Sequence, residues 1–182
     1  MFKKMKGFTL IELLIVIAII GILAALLIPN ALTAIQKAKQ KGTMKDINTI
    51  VTAMTDYVTD HGVAITASGA KLVTGSAPYI DLSPFYVKVL PITDQWGHDF
   101  QLYGGLECAV YGIDATIDGV GPDDSLVLST GRDTEVTFDW DPTDPTGQLY
   151  SVGAMIDFNK DLVSWNGTWV CGPQTRAGGI GT

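Results

Sequence analysis

Residues 8–28 read FTLIELLIVIAIIGILAALLI, twenty-one positions interrupted by a single charged side chain, Glu12. As a helix the run rises roughly 32 Å, enough to cross the hydrocarbon core of a bilayer. Ahead of it stands a short leader, MFKKMKG, whose Lys3, Lys4 and Lys6 predict a cytoplasmic N-terminus and an exported remainder. An ordinary secretory signal places its small-residue cleavage site after the apolar region. Here the small residue, Gly7, comes first, so removal of the leader would leave the anchor in place.

An ionisable group in a membrane helix costs a few kcal/mol unless it is paired, and it usually marks function. Glu12 therefore calls for a cationic partner. If the chain were cut before Phe8, the new α-amino group would be cationic below its usual pKa of about 8. It would lie about a turn from Glu12 in the same helix. The plainer alternative is a carboxylate held by the helix N-terminal dipole and interfacial water.

The stretch KGFTLIELLIVIAIIGILAALLIPN resembles the N-terminal signature of type IV pilins and type II secretion pseudopilins. That resemblance implies cleavage between Gly7 and Phe8 by a prepilin peptidase, N-methylation of Phe8, and storage in the bacterial inner membrane as a single-pass subunit. It implies assembly into a helical homopolymer in which the Phe8 amine meets Glu12. The partners it implies are a membrane platform protein, a cytoplasmic ATPase, minor pseudopilins and the surrounding lipid.

Pro29 lacks an amide donor and clashes with the preceding turn, so a kink or local unwinding is expected there, with Gly21 weakening the same region. Further on, Ile47, Ile50, Val51, Met54 and Val58 recur at helical spacing and predict one face packed on a globular domain. Lys37, Lys39, Lys41 and Lys45 precede that face and suit solvent, anionic headgroups or an acidic neighbour. The helix is expected to stop at His61-Gly62, where Gly supplies a C-terminal cap. The resulting division is a leader over 1–7, a membrane or filament-core helix over 8–28, an amphipathic half over 29–61, a loop-rich crossing over 62–90, an antiparallel β domain over 91–171 and a flexible tail over 172–182. The expected fold is α+β, with a long helix laid on a small antiparallel sheet.

A helical turn is expected over 83–88, and strands over 98–103 and 125–130. Asn166-Gly167, between LVSW and TWV, predicts a hairpin with a type I′ turn. Asn166-Gly167-Thr168 also fits a glycosylation sequon, though turn chemistry accounts for it more simply. The segments AMTDYVTDHG, DQWG, STGRD and DLVSWNG resemble those of major pseudopilins.

Asp114, Asp118, Asp123, Asp124, Asp133, Glu135, Asp139, Asp141 and Asp144 crowd into a short stretch. Ca²⁺, which takes six to eight oxygen ligands in flexible geometry, suits such a loop; solvated acidic turns are the alternative. The resemblance implies calcium at Asp133 and Asp161, and Glu135 is the candidate third ligand. The insertion VTFDWDPTDPTGQLYSVGAM departs from the family pattern between them. Cys108 and Cys171 lie on the oxidising side of the membrane, which favours a disulfide over two free thiols.

Without the three leader lysines, nine basic residues face nineteen acids, and a formal charge of −10 argues against duplex DNA as a main partner. With His61 and His98 the only histidines, and with no G-x-S-x-G, P-loop or dinucleotide fingerprint, no enzyme is expected. Two structural readings remain. A secretion pseudopilus subunit is favoured by DQWG, STGRD and DLVSWNG. A type IV pilus subunit, building a surface fibre for adhesion, motility or DNA uptake, is favoured by the paired cysteines and the inserted loop.

Overall fold

A computed structural model describes residues 7–111, 120–138 and 148–174. The chain divides into two compact units, Met1–Lys37 and Ala38–Thr182. Helix α1, Leu10–His61, is unbroken through Gly21 and Pro29, so the local unwinding expected at Pro29 does not occur in the single chain. Pro29 frees the Ala25 carbonyl of its helical donor, while side chains bind carbonyls nearby: Asn30 Nδ2 donates to Leu26 O at 3.4 Å and Thr33 Oγ1 to Pro29 O at 3.1 Å. The helix stops where expected. Gly62 takes φ 74° and its amide donates to Val58 O at 2.7 Å, a left-handed ending that a glycine adopts without a Cβ penalty.

In the second unit, Ile47, Ile50, Val51 and Met54 of α1 are buried and Val58 is half-buried. The four buried residues cluster with Leu102, Val127 and Leu162 from the sheet and with Phe100 just before its second strand. That sheet has six strands in the order β1-β2-β3-β5-β6-β4: β1 Ser68–Lys71, β2 Gln101–Gly104, β3 Ser125–Ser129, β4 Leu149–Tyr150, β5 Leu162–Trp165 and β6 Thr168–Pro173. All neighbours are antiparallel except β4 and β6, which are parallel. Every residue of β3 is buried. One face of the strand meets the α1 core, and the other meets a second cluster in which Leu126 and Leu128 pack with Cys108, Phe138, Tyr150, Val163 and Cys171. A strand covered on both faces loses the alternation that a half-solvated strand would show.

Several expectations are corrected. The crossing over 62–90 holds strand β1 and helix α2, Ala77–Leu82. The helical turn sits before residues 83–88, because a residue preceding proline is pushed out of the helical region: Ser83, followed by Pro84, is extended at φ −114° and ψ 137°. Pro78 instead suits the first turn of α2. Strand β2 starts at Gln101 rather than 98, since the turn runs through residues 95–97 and Asp99 pairs instead with Thr93 in an isolated antiparallel bridge. Strand β6 takes 172 and 173 from the expected tail. The hairpin forms as read, with Asn166 at φ 47° and Gly167 at φ 81°. The Asn166 side chain is used internally: its Oδ1 accepts from Ser125 N at 2.8 Å and its Nδ2 donates to Asp124 Oδ1.

Candidate functional site

The N-terminus of α1 carries the first site. Thr9 precedes the first helical residue and Glu12 stands three further on. Thr9 N and Thr9 Oγ1 donate to Glu12 Oε2 at 2.8 and 2.7 Å, and Glu12 N reaches Thr9 Oγ1 at 3.3 Å. This reciprocal capping box satisfies donors that a helix start leaves open. The T-x-x-E spacing was visible in the sequence, yet reasoning from charge alone passes over Thr9. Phe8 and Leu10 are 79 and 81% exposed, and the large apolar residues stay exposed as far as Ile28. By length and composition α1 is able to cross a membrane. A Cβ on Gly7 or Gly21 would meet nothing within 4 Å. The chain's own packing therefore does not require glycine at Gly7, beside the Gly7–Phe8 peptide.

The second site surrounds Asp161, which is wholly buried. Its Oδ2 accepts from Thr137 N at 2.7 Å and Phe138 N at 2.6 Å, and its Oδ1 has no partner. Burial pushes this carboxyl up to about 6, against the pull of those two amides and with a further push from the Asp133 charge. Asn159 Oδ1 is also buried and unpartnered. Asp133 and Asn159 line a cavity of about 420 Å³ together with Thr137, Tyr150, Lys160 and Cys171. Glu135 is not drawn in: its amide caps Asp133 Oδ1 at 3.1 Å and the residue is exposed. Among the described residues no three acidic, His or Cys side chains group as metal ligands, so Asp133, Glu135 and Asp161 do not form the expected trio. Asp114, Asp118, Asp139, Asp141 and Asp144 lie outside the described residues.

Cys108 and Cys171 are free and buried in the same cluster, which corrects the expected disulfide. The Cys171 thiol donates to Asp161 O at 3.2 Å, so it already has a partner in an apolar setting. Burial pushes both thiols up to about 12, with Asp124 adding to the effect on Cys108 and Asp161 to that on Cys171. Both histidines have structural partners. His61 stacks on Tyr57 with ring centroids 4.0 Å apart, and His98 Nδ1 lies 2.8 Å from Gly131 O.

A long apolar N-terminal helix with a capped glutamate, joined to a helix-on-sheet unit, defines a pilin-like subunit. Residues 2–28 match the prokaryotic N-terminal methylation motif. The chain is 33% identical over 129 residues to the type II secretion system core protein G of Vibrio cholerae serotype O1, covering 65% of this chain and 88% of that one. It is 33% identical over 131 residues to the Escherichia coli K12 protein of that name, covering 68 and 90%. The Aeromonas hydrophila protein is 30% identical over 135 residues, covering 68 and 92%. No solved structure matches. The chain belongs to the type II secretion system core protein G family.

Proposed function

We propose that this chain is the major structural subunit of a type II secretion pseudopilus, a membrane-anchored protein that polymerises into a filament serving protein export. Its membership of the core protein G family carries the reading, and the exposed apolar start of α1 supports it. The function is polymerisation, not catalysis. Prepilin peptidase cuts between Gly7 and Phe8 and Phe8 is N-methylated; the N-terminus is cytoplasmic and the C-terminal unit periplasmic. A platform protein, a cytoplasmic ATPase and minor pseudopilins complete the assembly machinery. Cleavage creates the Phe8 ammonium, and Glu12 then exchanges its Thr9 contacts for that cation on a neighbouring subunit, a pair charged on both sides in place of bonds charged only at the acceptor. Deleting the gene and comparing culture supernatants tests the reading. Loss of a set of secreted proteins, restored by complementation, supports it; an unchanged secretome together with loss of a surface fibre would make the chain a pilus subunit.

Calcium is part of the proposal. Two buried unpartnered oxygens, Asp161 Oδ1 and Asn159 Oδ1, are the kind of hard oxygen donors Ca²⁺ takes, and Asp133 lines the same cavity as Asn159. These three residues would hold the ion, which would supply the positive charge that buried Asp161 lacks. Direct titration of the full chain in detergent micelles with Ca²⁺ tests this, and absence of saturable binding would remove calcium from the account.

A further inference from the structure

The turn around residues 94–98 is bound on two sides. Asp94 is only 5% exposed and gathers three donors: Trp96 N and His98 N reach Oδ1 at 2.9 Å each, and Ser129 Oγ reaches Oδ2 at 2.8 Å. Ser129 Oγ in turn accepts from Gly131 N at 3.3 Å. Because a carbonyl only accepts, His98 Nδ1 donates to Gly131 O. Gly131 has no room for a side chain: it takes φ 65°, and a Cβ there would stand 2.7 Å from Lys160 O. The loop leading to Asp133 is thus held by this turn on one side and by residues 158–161, which precede β5, on the other, where Arg132 N donates to Phe158 O at 3.0 Å.

The next residue of the turn holds α1. Gln95 N donates to Thr43 Oγ1 at 3.2 Å and Gln95 Nε2 to Asp46 Oδ2 at 2.8 Å. A Cβ on Gly42 would stand 2.8 Å from Gln95 Cγ, so a glycine inside a helix, which costs about 0.5 to 1 kcal/mol relative to Ala, gives the Gln95 side chain its seat.

We propose that the 94–98 turn is a coupling element that joins α1 at residues 42–46 to the 129–133 loop, so that occupancy of the loop by a divalent cation and packing of this stretch of α1 influence each other. The metal half of this inference rests on the calcium reading above; the mechanical half does not. Coupling of this kind is reciprocal by linkage.

The test follows amide hydrogen exchange and Ca²⁺ titration on the full chain in detergent micelles. Thr43→Val keeps the buried volume and removes the acceptor of Gln95 N. It should speed exchange at Gly131 and Arg132 about fivefold without calcium, and weaken Ca²⁺ binding by about the same factor, although Thr43 touches neither. Asp46→Ala should act in the same direction, while Asp46→Asn, which keeps an acceptor for Gln95 Nε2, should behave as wild type; this pair carries the test if Thr43→Val fails to fold. Unchanged exchange at residues 131 and 132 in folded Thr43→Val and Asp46→Ala would overturn the coupling. A chain that binds no calcium yet shows the exchange response would sustain the coupling and remove the calcium reading.

Discussion

Two stretches of helix α1 contrast. Over residues 10–28 apolar side chains face outward on every side and none is buried. Over residues 40–54 a stripe is buried, and the exposed positions, among them Lys41, Lys45 and Asn48, are polar. The second stretch meets its apolar need inside its own unit. The first does not, and hydrocarbon or further copies of the same helix must meet it, because exposed apolar surface of this extent is not sustained in water. One continuous element thus carries two separable jobs, assembly and folding, and substitutions should divide between them.

Gly7→Glu should give the largest effect and the cleanest division. The chain has space at Gly7, so the folded unit should melt as wild type, while mass spectrometry of the membrane fraction should find only the unprocessed chain. A processed Gly7→Glu protein would break the assignment of the cleavage site. Next, Ile50→Ala in the buried stripe should destabilise the second unit by about 2 to 5 kcal/mol in urea unfolding followed by tryptophan fluorescence. Ile17→Ala, in the exposed stretch, should change the same transition by less than about 0.5 kcal/mol. Equal losses from the two would erase the comparison.

Asp161 sharpens it from within the folded unit. Its carboxyl is raised to about 6 above an unfolded value near 3.9, so the protonated form is favoured by folding. Its contribution is fully present below the unfolded value and is lost as pH rises through about 6, a change of about 3 kcal/mol in calcium-free buffer. Asp161→Asn should remove that slope between pH 4 and 6.5, and added Ca²⁺ should stabilise wild type but not the variant. A wild-type and variant difference independent of pH would contradict the assignment. The smallest effect belongs to the hairpin: Gly167 sits at φ 81°, and Gly167→Ala should cost about 1 kcal/mol.

The legible parts of the chain were those set by local chemistry or by one strong period. The apolar run, the stripe from Ile47 to Met54, the Gly62 stop and the Asn166-Gly167 turn depend on neighbours in sequence, and each forms as read. What depends on distant partners was hidden. The insertion at 136–155 was read as a departure from pattern, yet its Phe138 and Tyr150 help build a second core under β3. No periodicity in so irregular a segment announces that role. His98 and Asp99 read as strand because their alternation is right, but Asp94 captures the His98 amide and turns the chain first. Glu135 was an acid in an acidic run, and only tertiary geometry separates it from Asp161. Nothing in the sequence pairs Gly42 with Gln95, which lies against it in the fold.

The claim at the centre is that Glu12 serves assembly and not folding or membrane insertion. Filaments sheared and pelleted from cells producing the secretion system with wild-type or Glu12→Ala subunits, quantified beside the membrane-bound processed subunit, test it most directly. The account predicts normal processing and membrane retention for Glu12→Ala with its near-absence from the filament fraction. A filament yield equal to wild type would contradict it.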